Sequence, residues 1–353
     1  MDLVRGLVNR GHEVHVAVRP KSPLIGELRH DEVKISTLPL RNSLDAPSAR
    51  TLAGLVRQHK IQIVHAHMAR DYPLASYAAR GSRNARLIVT RHVLFPLNRL
   101  HRITLAKAAR IIAVSEAVAT QLRSDGIVTG DRISVVLNGI DAKRFENARS
   151  CFDRNQFLAG WGLPSDTLLI GTVGELTPLK GQEEFLRAAA EVRKSFSTSH
   201  FVIAGTDNSN ENKNREFLER LITELGLTER VRLVGWVEDL PQLYCALDVF
   251  VSASHTESFG LAIAEAMATG TAVVATETEG AREIIQAGET GLLAPVGNVA
   301  TLAAALVELL ADKDKRGRLG AAAQQSVAVK FGVERMIDET EKIYSVEIER
   351  LGT

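Results

Sequence analysis

The stretch VFVSASHTESFGLAIAEAMATG, residues 249–270, contains the transition from strand to helix that decides the fold class. Val249–Val251 is a short apolar β-type run, and the alanine-rich segment after it has a helical pattern that we expect to begin at about Phe259. A strand, a polar turn and a helix in succession form the repeating unit of parallel α/β domains. The sequence therefore predicts an α/β protein with an exposed turn at the end of a parallel strand.

The turn itself has the features of an anion site. Backbone N–H groups at a helix N-terminus point outward and attract phosphate, and Gly260 would let a phosphate approach the backbone closely. We expect the N–H groups of four consecutive residues to face such a ligand: Ser258, Phe259, Gly260 and Leu261.

Two glutamates flank this turn. Glu265 lies about two turns into an otherwise apolar helix, where a buried carboxylate needs hydrogen-bond donors, and a ribose diol would supply two. Glu257 precedes the helix, near the place where a group beyond the phosphates would lie. The alternative is that Glu257 caps the helix and Glu265 pairs with an arginine, and the sequence leaves both interpretations open.

A second strand–turn–helix segment is GTVGELTPLKG, residues 171–181. Gly174 and Glu175 lie in its turn, and Lys180 comes just before the helix, where an ammonium group could neutralise a diphosphate without a metal. The spacing fits neither a Walker A loop nor a dinucleotide fingerprint. A solvated turn lysine is the alternative interpretation of Lys180.

Strand-like runs alternate with helical patterns along most of the chain, as in βαβ units. Such runs occur at Glu13–Val18, Ile61–His65, Leu87–Thr90, Ile111–Val114, Ile133–Leu137, Leu168–Val173, Phe201–Ala204, Val231–Val234, Val249–Val251, Ala272–Ala275 and Gly291–Leu293. We expect two doubly wound α/β domains, residues 1–150 and 151–330, with ligands between them at the carboxyl ends of the strands. After Pro295 the pattern is helical, and residues 331–353 form a last helix that we expect to cross back to the first domain.

The opening of the chain is unusual for such a domain. Leu3, Val4, Leu7 and Val8 form a helical apolar stripe, and Gly11 ends that helix before the first strand. A doubly wound domain normally opens with a buried strand and a glycine-rich turn. We favour a truncated or late start over a domain that is built on a shorter sheet.

Composition indicates a folded protein and excludes disordered and fibrous classes. Of 353 residues, 45% are hydrophobic and 24% charged. No apolar run approaches the roughly 18 residues of a membrane span, and the first residues lack the pattern of a signal peptide. Cys151 and Cys245 are too few for a disulfide framework or a zinc site. These features predict a cytoplasmic protein.

Charge is divided unevenly along the chain. Residues 1–150 contain 24 Lys and Arg against 12 Asp and Glu, whereas residues 151–353 contain 19 against 30. The first half therefore suits an anionic partner, such as a membrane surface or a phosphorylated acceptor, unless attraction between the halves explains the division. Nucleic acid is the weakest candidate, because the basic residues are scattered and aromatic residues make up only 5%.

Histidines follow two predicted strands of the first half. His65 and His67 share one face at the end of their strand, as metal ligands would, but no carboxylate or cysteine cluster accompanies them. We therefore expect no metal there, and a role in lining the ligand cleft or in the structure. His92 follows the next strand and either orients a sugar or has a structural role.

Together these segments resemble the family-four retaining glycosyltransferases, which have the GT-B fold. The resemblance rests on VLNGID (136–141), Val173–Gly181, GWV (235–237) and the seven residues between Glu257 and Glu265. It covers nearly the whole chain, and RGLVNRGHEV (5–14) looks like the family's opening without its first strand. It implies two Rossmann-like domains that face each other across a cleft, and metal-independent transfer of a hexose from a nucleoside diphosphate sugar.

The resemblance also implies roles for individual residues. Glu265 would bind the donor ribose, and the backbone around Trp236 and Val237 would line the base pocket. The diphosphate would contact Lys180 and residues 258–261, with Gly174 and Glu175 beside it. The implied catalytic residues are Glu257, which would contact the donor sugar, His92, which would face it from the first domain, and Lys180.

Two departures from the family affect the expected activity. Glu175 stands where the family usually has arginine, and the first strand is missing. By resemblance we expect a UDP-sugar donor and a lipid-linked or saccharide acceptor in envelope or polysaccharide synthesis, with peripheral contact at the inner face of the membrane. The alternatives are a catalytically silent nucleotide-binding protein and a nucleotide-sugar epimerase.

Overall fold

The computed structural model describes residues 1–28, 32–95, 97 and 99–351. The chain divides into two units, one of Met1–Gly139 with Val333–Thr353 and the other of Ile140–Gly332. The sequence placed the first boundary near residue 150 instead. The difference arises because the helix Ala142–Ser150 (α7 below) packs within the second unit, where the Arg149 guanidinium donates to the carbonyl oxygen of Cys245 at 3.0 Å.

Up to Gly139, the first unit alternates helices with parallel strands. Its elements are α1 (Asp2–Asn9), β1 (Val14–Val18), α2 (Leu24–Leu28), β2 (Val33–Thr37), α3 (Ala46–Gln58), β3 (Ile63–Ala66), α4 (Tyr72–Arg80), β4 (Arg86–Arg91), α5 (Arg99–Leu105), β5 (Arg110–Ala113), α6 (Glu116–Ser124) and β6 (Ile133–Val135). No apolar run predicts β2, because Lys34 and Ser36 interrupt its apolar residues and no position of the strand is fully buried.

The second unit has the same alternation and a longer helical end. Its elements are α7 (Ala142–Ser150), α8 (Arg154–Gly160), β7 (Leu168–Val173), α9 (Gln182–Ser195), β8 (Ser199–Ala204), α10 (Lys213–Glu224), β9 (Val231–Gly235), α11 (Leu240–Ala246), β10 (Val249–Ser252), α12 (Leu261–Ala268), β11 (Ala272–Thr276), α13 (Glu279–Ile284), β12 (Leu292–Ala294), α14 (Val299–Ala311) and α15 (Lys313–Lys330). The last helix, α16 (Val333–Glu349), belongs to the first unit.

The second unit contains a six-stranded parallel sheet with the order β9-β8-β7-β10-β11-β12. Its central strands β10 and β11 are buried at every position, as expected for a parallel sheet that is covered on both faces. The order reverses between β7 and β10, and in open α/β sheets ligands bind at the carboxyl ends of the strands at such a reversal.

The first unit has the corresponding strands in two separate sheets. β3-β4-β5-β6 form a four-stranded parallel sheet, and β1 and β2 form a parallel pair. In the second unit, β7 lies between β8 and β10 and joins the two halves of the sheet. Among the described residues of the first unit, no strand lies in the corresponding place between β1 and β3. The element before β1 is the helix α1, as the opening of the sequence indicates.

Helix α16 packs on α1 within the first unit. A Cβ atom at Gly6 would clash with the side chain of Ile337, so the absence of a side chain on α1 lets the two helices approach closely. The Arg10 guanidinium contacts Glu334, Asp338 and Glu341 on α16 at 2.9, 2.6 and 2.7 Å. The last helix therefore completes the core of the first unit.

Candidate functional site

The turn after β7 is held against the end of β10, at the reversal of strand order. Gly181 has φ +65°, and a Cβ atom there would collide with the carbonyl oxygen of Ala253. The backbone N–H of His255 donates to the carbonyl oxygen of Leu179 at 2.8 Å. Glycine at 181 therefore lets the turn that carries Lys180 lie directly beside the turn that carries Glu257.

Lys180 and Glu257 meet in this crevice. The Lys180 ammonium donates to Glu257 Oε1 at 2.5 Å, and the Ser254 hydroxyl donates to the same oxygen at 2.9 Å. The Lys180 stem lies beside Gly174, at ordinary van der Waals distance from the place of a Cβ atom. The two side chains come from turns 77 residues apart in the chain, and each remains partly open to solvent, so an anion could compete with Glu257 for the lysine.

Helix α12 begins at Leu261, two residues later than the sequence predicted. Gly260, with φ +103°, is the N-cap, a backbone conformation that side chains disfavour. The side chain of Phe259 is 1% exposed and packs on Phe331, so only its backbone can face a ligand, whereas Leu261 is 47% exposed. Gly280 packs beneath this turn and donates its N–H to the carbonyl oxygen of Glu257 at 3.1 Å.

Glu265 has a partner that the sequence analysis missed. The hydroxyl of Tyr244 on α11 donates to Glu265 Oε2 at 2.9 Å. Tyr244 is fully buried, and burial together with the Glu265 charge raises the pKa of its hydroxyl well above the ordinary value, so it remains a donor. Glu265 itself is half-buried, less than its apolar neighbours predict, which leaves the carboxylate within reach of a ligand.

Glu175 is exposed, and the Asn208 amide donates to Glu175 Oε1 at 3.0 Å. Its backbone carbonyl accepts a hydrogen bond from Gln182 Nε2 at 2.9 Å, which fixes the turn after β7. The Glu175 carboxylate therefore lies on the solvent-exposed side of this turn.

Trp236 and Val237 follow β9 at the same edge of the sheet. The N–H of Gly205 donates to the carbonyl oxygen of Gly235 at 2.7 Å, and the N–H of Gly174 donates to the carbonyl oxygen of Ala204 at 2.9 Å. These hydrogen bonds join the ends of β9, β8 and β7. Trp236 is 79% exposed and Val237 half-buried. An exposed indole at a strand end offers an apolar surface to a planar ligand.

The ends of β3 and β4 bring together three histidines of the first unit. His65 Nδ1 lies 2.5 Å from the Tyr344 hydroxyl, and its Nε2 lies 2.7 Å from Thr90 Oγ1. His67 Nδ1 and His92 Nε2 share a hydrogen bond at 3.2 Å. Burial and neighbouring positive charges lower the pKa of all three histidines, so the group is neutral at pH 7.

Among the described residues, Glu13, His15 and His59 form a cluster that could hold a metal ion, with ligand atoms within 4.8 Å of one another. The Lys34 ammonium already pairs with Glu13 at 2.5 Å, and this contact, with the hydrogen bond from His15, lowers the pKa of Glu13 to about 2. Lys34 thus competes with any cation.

None of the described helices has both the length and the apolarity needed to cross a bilayer.

Tyr244, Ser254 and Asn208 are polar partners of site residues that the sequence analysis did not identify. Tyr244 lies 21 residues before Glu265, and Asn208 lies 33 residues after Glu175. No local pattern links these pairs, because only the packing of α11 on α12 and the adjacency of β7 and β8 bring them together.

Two family models match the chain in succession. Residues 1–144 match Glycosyltransferase Family 4, and residues 153–326 match Glycosyl transferases group 1. D-inositol 3-phosphate glycosyltransferase of Thermomonospora curvata is 34% identical over 254 residues, which are 68% of this chain and 57% of that relative. N-acetyl-alpha-D-glucosaminyl L-malate synthase of Bacillus anthracis is 24% identical over 97% of this chain and 91% of its own length.

Solved structures support the fold. A glycosyltransferase from Rickettsia africae has a TM-score of 0.88 at 21% identity, with 98% of this chain and 93% of that chain covered. Anabaena HepE in complex with UDP-glucose has a TM-score of 0.86 at 23% identity, with 98% and 94% covered. Two units of helices around parallel sheets are the architecture of GT-B glycosyltransferases, and with matches to both family models along nearly its whole length, the chain belongs to the family-4, group 1 glycosyltransferases.

Proposed function

We propose that this protein transfers a hexose from a nucleoside diphosphate sugar, preferably a UDP-sugar, to a saccharide or lipid-linked acceptor with retention at the anomeric carbon. The observation that carries the proposal is the Lys180–Glu257 pair beside the N-terminus of α12. It combines a cation, backbone donors and a carboxylate at the reversal of strand order, where a ligand with phosphates and hydroxyl groups would fit.

The donor would lie along the carboxyl edge of the six-stranded sheet. Its diphosphate would take Lys180 from Glu257 and accept hydrogen bonds from the N–H groups of residues 258–261. The ribose would donate to Glu265, and the base would lie against Trp236 and Val237. Glu257, released from the lysine, would then accept hydrogen bonds from the hexose hydroxyl groups.

Transfer would proceed on one face of the sugar. The bond between the anomeric carbon and the diphosphate oxygen breaks as a bond to the acceptor oxygen forms, and the acceptor proton passes to the departing diphosphate. Lys180 and the α12 N–H groups stabilise the charge that develops on the leaving group, which is the main electrostatic contribution. A lysine in this position can serve without a metal ion, and we propose a metal-independent reaction.

The relatives agree with an anionic acceptor. One is named for inositol 3-phosphate and another for L-malate, both of which are negatively charged. The basic character of residues 1–150 fits an acceptor of that kind. Since the chain spans 57% of the T. curvata relative, the acceptor of this protein is proposed by its charge alone.

A surface of the first unit suits an anionic membrane, which is the setting for a lipid-linked acceptor. Leu44 and Tyr77, with exposed fractions of 77 and 52%, line one concavity together with Arg50, and these three residues define the apolar–basic surface. Other exposed apolar and basic side chains of this unit are Phe95 and Ile103, with exposed fractions of 54 and 53%, and Arg41, Arg99 and Arg102. Apolar anchors beside basic side chains favour peripheral binding to anionic lipid, here at the cytoplasmic face.

The direct test is transfer from UDP-glucose, UDP-N-acetylglucosamine and GDP-mannose to a panel of phosphorylated, carboxylated and lipid-linked acceptors, with EDTA present and products identified by mass spectrometry and NMR. A new α-linked product from an α-linked donor would support the proposal. Binding without turnover would favour a silent protein, for which Glu175 is the specific observation. Conversion of the sugar with no acceptor present would indicate an epimerase.

A further inference from the structure

In the histidine group at the ends of β3 and β4, His67 contacts both of the other rings. His65 and His67 are two residues apart on one face, with ring centroids 4.1 Å apart. His67 and His92 are stacked with ring centroids 5.5 Å apart and planes 28° apart, and are also hydrogen-bonded. His67 therefore lies between the ring of His65 and the ring of His92.

The ring of His65 is fixed by hydrogen bonds. Both nitrogens of His65 are engaged, one by Tyr344 of α16 and the other by Thr90 of β4. The half-buried ring of His65 therefore cannot turn without breaking two hydrogen bonds. Tyr344 is itself buried, with an exposed fraction of 8%. The ring of His67 lies beside this fixed ring, with the two planes 34° apart.

The ring of His92 is neutral at pH 7. Burial lowers the pKa of His92, and the Arg91 charge beside it adds to that effect. The protein around the ring also desolvates His67 and lowers its pKa, helped by His92 and the amino group of Met1, and water at the exposed side of the ring weakens this effect. In a neutral pair one ring must donate and the other accept, so the tautomers of the two rings are coupled.

We propose that His67 is a positioning residue that fixes the tautomer and orientation of His92. The proposal rests on the proposed function and on the resemblance, which implies that His92 orients a sugar. A neutral imidazole can orient a sugar hydroxyl only if the correct nitrogen carries the proton. The hydrogen bond between His67 Nδ1 and His92 Nε2 couples the proton positions of the two rings before substrate arrives, as outer partners do for other functional histidines.

The test reads the tautomer directly. Nitrogen-15 spectra of histidine-labelled full-length protein at pH 7.5, assigned with His92→Gln, should show His92 in one tautomer in the native chain. In His67→Ala, we expect a mixture of both tautomers. His67→Asn, whose amide can occupy the place of Nδ1, should restore a single form. His59→Ala, another histidine of the first unit, is the matched control. An unchanged single tautomer of His92 in His67→Ala would overturn the proposal.

Kinetics provide the second measurement. With an acceptor in hand, kcat of His67→Ala should fall by about ten- to a hundredfold, the usual cost of an orienting partner, while KM for the donor changes little. His67→Asn should recover most of the loss. A rise in donor KM with kcat unchanged would contradict a positioning role. If the native chain transfers no sugar, the proposed function fails, and the tautomer spectra still decide the role of His67.

Discussion

The hydrogen bond between Tyr244 and Glu265 joins the buried core of the second unit to its candidate ligand site. A hydrogen bond to a charged group contributes about 1.5–3 kcal/mol, and part of it would be replaced by water at a half-buried carboxylate. We therefore expect Tyr244→Phe to weaken UDP binding by about three- to tenfold, measured by calorimetry.

The matched control is Tyr344→Phe, which removes another buried tyrosine hydroxyl, in the first unit. It should leave UDP affinity unchanged. Equal affinities of Tyr244→Phe and the native chain would mean that this hydroxyl does not orient the carboxylate for a ligand.

Glu175 gives a prediction in the opposite direction. If its carboxylate faces the diphosphate, Glu175→Arg should strengthen UDP binding by about fivefold, the effect of about 1 kcal/mol at an exposed site. Glu175→Gln separates the loss of repulsion from the gain of attraction and should give an intermediate affinity. Weaker binding by the arginine variant would show that position 175 does not face the phosphates.

At the level of secondary-structure elements, the separate pair of strands β1 and β2 is the weakest part of the first unit. A two-stranded sheet is marginally stable unless packing supports it, and the strands are mostly half-exposed. Backbone amides of β1 and β2 should therefore exchange with deuterium faster than those of β3 to β5, measured by mass spectrometry at peptide resolution. Equal protection of both sheets would contradict this account.

The elements show what sequence patterns can and cannot predict. The buried strands of the second unit were predictable, because a fully covered parallel strand is an unbroken apolar run. β2 was not, because its polar positions resemble a loop. The start of α12 was predicted two residues early, since the apolar pattern runs through Phe259 and does not show that Gly260 takes a left-handed conformation as the N-cap. Lys180 and Glu257 were both identified from the sequence, but their direct contact required the fold.

For the molecule as a whole, the uneven charge predicts behaviour at a lipid surface. The chain should sediment with anionic vesicles at low salt and release them as salt increases, because screening weakens the attraction. Leu44→Glu on the apolar–basic surface should reduce the bound fraction severalfold. Val329→Glu is the control, since Val329 is 73% exposed and lies in the other unit. Equal binding to neutral vesicles would contradict an electrostatic origin.

The central claim is that the second unit binds the nucleotide of a sugar donor, and calorimetric titration with UDP and with GDP in the presence of EDTA tests it most directly. We predict micromolar binding of UDP, with at least a tenfold loss in Glu265→Ala. Glu224→Ala is the control, because that exposed residue ends α10, the helix before β9, away from the carboxyl ends of the strands. A folded native chain that binds neither nucleotide, or a Glu265→Ala variant with native affinity, would contradict the account.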